Sequence, residues 1–151
     1  MKDFKGINDI LDFAIQNEQN AVDFYTKLAE SSRTGDMKAV FLQFAKEEIG
    51  HKARLIKIQT EGTFHISIEK VQDLKISDYL VKTELTPNMS YEDALVLAMK
   101  REKSAFKLYL ALSERAPNIE LKELFLALAM EESKHKLRFE IEYDEFVLRE
   151  N

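Results

Sequence analysis

Four glutamates and two histidines recur in this chain at spacings suited to holding a pair of metal ions. Glu48 and His51 make one Glu-x-x-His and Glu132 and His135 make another, and a further glutamate, Glu18 or Glu102, precedes each by 30 residues. The two sets are copies, because a shift of 84 positions lays one on the other. The same shift carries Ala14, Tyr25, Leu28, Phe41 and Glu47 onto Ala98, Tyr109, Leu112, Phe125 and Glu131. Within a helix, residues i and i+3 point the same way, so each Glu-x-x-His presents both donors on one side. The acids also sit inside apolar stripes, where an ionised carboxylate without a partner is expelled or made to keep a proton. Two divalent cations would cancel the four negative charges, and carboxylate oxygen with neutral imidazole suits iron or manganese, or a mixed pair. The simplest assignment makes Glu18 and Glu102 terminal ligands, Glu48 and Glu132 bridges, and gives His51 and His135 one ion each. Coordination positions would then stay open for oxygen or peroxide.

Four residues stand beside this set. Tyr25 and Tyr109 each follow a ligand glutamate by seven residues, two turns along the same face, from where a hydroxyl reaches a carboxylate or the bound oxidant. Core packing explains them equally well. Glu47 and Glu131 precede the bridging acids and are placed to accept the second ring proton of the histidine on the opposite hairpin; the alternative is a solvated helix face. The remaining histidine, His65, stands alone and reads as structural or exposed.

The elements that must position these groups are helices. Apolar residues recur at helical spacing from about 7 to 32, from Met37 to Gly62, from Ser90 to Pro117, and from Leu121 to Phe146. With 45% hydrophobic and 32% charged residues, and only 4 Gly and 2 Pro, the composition favours a helical domain over a disordered or all-β one. The expectation is one all-α domain over 1–151, a four-helix bundle of two hairpins at about 7–62 and 90–147. In an antiparallel hairpin, positions equidistant from the turn share a height. Glu18 and Glu48 are centred on position 33, beside the Thr34-Gly35 break, and Glu102 and Glu132 on Pro117, so both hairpins bring their acids to mid-bundle. The 26 residues from Thr63 to Asn88 exceed an ordinary bundle connection and predict a crossover between helices two and three. Phe64 to Ile68 alternates like an extended strand, and a short helix is expected near Ser77 to Lys82.

Composition also excludes. The absence of cysteine removes disulfides, thiolate nucleophiles, iron–sulfur clusters and Cys-type zinc sites. A net charge of −5 without a run of Lys and Arg gives no footprint for nucleic acid or an anionic membrane. The first residues lack the apolar core of a secretory signal, and the longest apolar run, Leu124 to Met130, is too short to span a bilayer, so a cytoplasmic location is expected.

Two Glu plus Glu-x-x-His sets on a bundle with a long second connection resemble the ferritin-like dimetal carboxylate superfamily. The nearest resemblance is to the rubrerythrin group, through Glu18-x6-Tyr25, Lys46-Glu47-Glu48-Ile49-Gly50-His51 and Glu131-Glu132-Ser133-Lys134-His135, and it covers nearly the whole chain. The resemblance implies the ferritin-like bundle, two non-haem irons at the six ligands, and reduction of hydrogen peroxide or oxygen. Rubrerythrins proper append a rubredoxin domain with four cysteines, which this chain cannot build, so electrons would come from a separate donor protein. They also carry a glutamate three residues after the helix-three ligand, where this chain has Ala105, and a glutamate where it has His135. The more symmetric set resembles bacterioferritins, but their haem-binding Met is here Ile49, so no haem is expected. Peroxide or oxygen reduction is the first expectation. Ferrous iron oxidation and handling is the second, and a metal-stabilised bundle or interaction module without catalysis the third. Exposed apolar positions on long helices and the resemblance together suggest a homodimer, with exchange of helices through the connector as a further option.

Overall fold

The computed structural model describes residues 6–32, 34–62, 79, 81 and 89–150. They form four helices: α1 (Ile7–Glu30), α2 (Gly35–Glu61), α3 (Tyr91–Arg115) and α4 (Ile119–Glu150). The boundaries at the connector and at the turn before α4, and the start of α2, have local causes. Thr34 is extended and its side chain accepts the Met37 amide at 3.1 Å, which opens α2; the Ser90 hydroxyl does the same for Asp93 at the start of α3. α2 stops at Gly62, whose φ of +56° places it in the left-handed region that glycine tolerates best. Pro117 disfavours helical backbone at the residue before it, and Ala116 is extended with ψ 136°. Asn118 then caps α4, its side-chain oxygen accepting the Leu121 amide at 2.9 Å.

The contacts fix the directions. Lys52 donates to Gln19 and Gln59 donates to Asp12, so α1 runs back as α2 runs forward. The pairs His51 with Glu131 and Glu47 with His135 make α2 and α4 antiparallel in the same way. Tyr109 on Glu18 and Arg101 over Phe24 do so for α1 and α3. α2 and α3 are therefore parallel, and the chain leaves α2 at one end of the bundle and enters α3 at the other. This is the long crossover that the connector length predicts. The strand-like Phe64–Ile68 segment, His65 and most of the expected helix near Ser77–Lys82 lie outside the described residues.

The core divides into two apolar clusters. One joins Ile10, Leu11, Leu55, Leu108, Leu112, Phe125 and Leu128; the other joins Phe24, Leu28, Phe41, Leu95, Ala98 and Phe139. Between them, along the bundle axis, lies a layer of buried charge. Burying polar groups there costs free energy unless each finds a partner, so the layer needs its own explanation.

Candidate metal centre

All six residues of the repeated motif reach that layer, and each is 1–3% exposed. Their donor atoms fall into two overlapping groups, Glu18, Glu48, His51 and Glu132 in one and Glu48, Glu102, Glu132 and His135 in the other, with all atoms of a group within 4.8 Å of one another. Glu48 and Glu132 belong to both. Glu48 Oε1 is 3.3 Å from His51 Nδ1 and 3.3 Å from His135 Nδ1, midway between two stacked imidazoles whose centroids are 6.4 Å apart. His51 Nδ1 also lies 2.8 Å from Glu132 Oε1 and 3.6 Å from Glu18 Oε2, and His135 Nδ1 lies 3.6 Å from Glu102 Oε1.

The outward nitrogens are held from the opposite hairpin. His51 Nε2 meets Glu131 at 2.6 Å and His135 Nε2 meets Glu47 at 3.1 Å. A carboxylate on Nε2 draws the ring proton there and turns the Nδ1 lone pair into the cluster, as a metal-binding histidine requires. Both acids remain partly exposed, at 35% for Glu131 and 39% for Glu47, so each links a buried ring to solvent. Arg54, 3.5 Å from Glu131, steadies one of them.

One atom on each of the six side chains is buried without a hydrogen-bonding partner: Glu18 Oε2, Glu48 Oε1, Glu102 Oε2, Glu132 Oε1, His51 Nδ1 and His135 Nδ1. Native interiors leave few such atoms, and here they converge. Two divalent ions would satisfy every one. The charge arithmetic points the same way. Burial and the neighbouring Glu48 charge push Glu18 up to about 8, and burial and Glu132 push Glu48 to about 7. Glu132 is raised well above its ordinary value by burial and by Glu102 and Glu18. Burial pulls the histidines down, but Glu132 and Glu18 around His51, and Glu102 and Glu48 around His135, outweigh it and raise each to about 11. Left to themselves, these groups hold protons that cations would replace. The donor set and the orphaned atoms thus fit a pair of divalent metal ions.

The two tyrosines differ. Tyr109, buried on α3, donates to Glu18 Oε1 across the bundle, and burial together with the Glu18 charge keeps its hydroxyl well above the ordinary phenol range. Tyr25 reaches no carboxylate. Its ring stacks on Phe139 and meets His135 edge-on, and its hydroxyl is buried without a partner.

A cavity of about 150 Å³ opens onto the acids between α1 and α3, lined by Ala14, Ala21, Ala105, Tyr109 and Arg101. Alanine at both 21 and 105 leaves the space that a longer side chain would fill. Tyr79 and Val81 of the connector also line it, and the Ser104 hydroxyl donates to the Tyr79 carbonyl at 2.5 Å. Arg101, whose guanidinium lies 5.1 Å over the Phe24 ring, and Phe44, stacked on His135 at 4.0 Å, are absent from the sequence-based site. The repeat could not have found Phe44, because its counterpart is Leu128. Arg101 directly precedes the candidate ligand Glu102 within the charged run Lys100 to Lys103, where its residue type gives no signal of a site role.

The family model described as Rubrerythrin matches residues 9–86 and 93–151. A Thermotoga maritima chain whose crystal structure is described as that of a ferritin-like diiron-carboxylate protein superposes with a TM-score of 0.79 at 22% identity. The match covers 96% of this chain and 99% of that one. At that identity the likeness speaks for the fold, a ferritin-like bundle. No curated protein is similar to the chain at a significant level.

Proposed function

The chain belongs to the rubrerythrin family, and from that membership and the buried cluster we propose that it is a di-iron oxidoreductase reducing hydrogen peroxide or oxygen with electrons from a separate donor protein. The observation that carries the reading is the sharing of Glu48 and Glu132 between two four-residue donor groups. A pair of redox-active ions held there would supply two electrons, the number that cleaves one O–O bond: H2O2 + 2 H⁺ + 2 e⁻ → 2 H2O.

The protein's own residues do the rest. Glu18 and Glu102 hold the outer flanks, and Glu48 and Glu132 lie between the two halves. His51 and His135 supply the neutral donors, oriented through Glu131 and Glu47. Tyr109 fixes the rotamer of Glu18 and places a hydroxyl proton at the cavity wall. The cavity, widened by the two alanines, has room for a molecule of two heavy atoms beside the acids. Glu47 and Glu131, half in water, suit the delivery of protons to the buried rings.

Iron-loaded protein, reduced without air and mixed rapidly with peroxide or with oxygenated buffer, tests this reading. Oxidation by peroxide much faster than by oxygen is expected of a peroxidase, and comparable rates favour oxygen as the substrate. Reduced protein inert to both would overturn the proposal.

A further inference from the structure

The space beside the acids is larger than hydrogen peroxide needs. The cavity between α1 and α3 measures about 150 Å³. Roughly 10–15 Å³ of such space suffices for one water molecule, and about 150 Å³ in a protein core takes up benzene. Two oxygen atoms use only a fraction of it. The lining is of two kinds: the four glutamates of the cluster supply carboxylates, and Ala14, Ala21, Ala105 and Leu108 supply methyl groups.

Helical register sets the methyl groups next to the acids. Ala21 and Ala105 each follow an outer glutamate, Glu18 or Glu102, by three residues, and Ala14 precedes Glu18 by four. At those spacings helical side chains lie on one side, a turn apart. Half-buried Asn17 and exposed Asn20 add amides toward solvent. A molecule that meets both kinds of lining carries a reducible polar end for the acid cluster and a compact apolar body for the alanines. We propose that the site takes small alkyl hydroperoxides with a body of about four carbons, the O–O group against the acid cluster and the alkyl group on Ala14, Ala21 and Ala105.

The inference rests on the reading of the site as a peroxidase and names its substrate class. The step balances as ROOH + 2 H⁺ + 2 e⁻ → ROH + H2O. The O–O bond breaks, the oxygen on carbon leaves as the alcohol and its neighbour as water, and each takes up one proton. The hydroperoxide is reduced, and the separate donor protein is oxidised by the same two electrons. Hydrogen peroxide offers the same bond but leaves the methyl groups in water, whereas each methylene buried against them strengthens binding roughly fourfold. Burial of two carbons therefore exceeds tenfold. tert-Butyl hydroperoxide, which equals benzene in heavy atoms, is the matching probe.

Two measurements on the full-length protein test the proposal. In the first, tert-butanol, the redox-inert product, is titrated into zinc-loaded protein carrying labelled alanine methyls. Saturable NMR shifts at Ala14, Ala21 and Ala105 are expected; shifts absent there, or spread equally over exposed Ala39 and Ala53, overturn the proposal. In the second, iron-loaded protein reduced without air is mixed with tert-butyl hydroperoxide or with hydrogen peroxide. At low concentration the alkyl hydroperoxide should react at least as fast, and Ala105→Leu should lower its rate at least tenfold relative to that of hydrogen peroxide. Ala21→Leu, on the other helix, gives the same readout if Ala105→Leu does not fold. A rate ratio unmoved by either variant overturns the proposal. So does wild type that reacts with hydrogen peroxide and ignores the alkyl form, a result that leaves the peroxidase reading standing. Protein inert to both overturns the two together.

Discussion

At the scale of single residues, the asymmetry between the two tyrosines is the sharpest feature of the site. Tyr109 donates to Glu18, and its sequence counterpart Tyr25 keeps a buried hydroxyl without a partner. Tyr109→Phe removes the donor and leaves a buried carboxylate oxygen unpaired, so a loss of about 1–3 kcal/mol is expected in urea unfolding of the metal-free protein. Tyr25→Phe removes an orphaned hydroxyl while keeping the ring against Phe139, and should be neutral or stabilising. Equal losses in both would contradict the contact on Glu18. The outer acids act on metal affinity. Glu131→Gln, which weakens the acceptor on His51 Nε2, should lower affinity about 10- to 100-fold in competition with a chelator.

At the scale of elements, helix ends and the repeat did most of the work of placing the site, and both are visible in the residues. Thr34, Gly62, Ser90 and Pro117 mark their boundaries by known backbone preferences, and the 30-residue spacing about each turn brings Glu18 to Glu48 and Glu102 to Glu132. Gly62→Ala keeps a left-handed backbone at a residue with a Cβ, and a loss of about 1 kcal/mol or more is expected in thermal unfolding. What the spacing could not show are contacts that break the two-fold likeness of the hairpins. Phe44 stacks on His135 while Leu128 takes its place in the other half, and Tyr25 turns to Phe139 where Tyr109 turns to an acid. Periodicity names a side of a helix; neighbouring bulk decides the rotamer.

At the scale of the whole molecule, the buried layer couples stability to pH. Glu18 rises from 4.5 to about 8 and Glu48 to about 7, while His51 and His135 rise from 6.5 to about 11. A group whose value is raised by folding contributes stability that is fully present below its unfolded value and is lost as pH climbs through the folded one. Both kinds therefore act in the same direction. Metal-free protein should lose thermal stability as pH rises from 4.5 to 8 through the carboxyls, and from 6.5 onward through the histidines as well, whose loss continues to about 11. Metal-loaded protein should show the opposite trend over that interval, because ions replace protons and bind more tightly as ligands ionise. Parallel melting curves across pH for the two forms would show that the cluster is not where the ions sit.

The most direct test of a paired site is elemental analysis of metal bound per chain after loading with ferrous iron and removal of the excess, on the wild type and on Glu48→Ala. A centre in which Glu48 serves both halves requires two ions per wild-type chain and loss of the pair together in the variant. One ion per wild-type chain, or a variant that keeps a full single ion, would contradict the shared carboxylate and with it the dimetal centre.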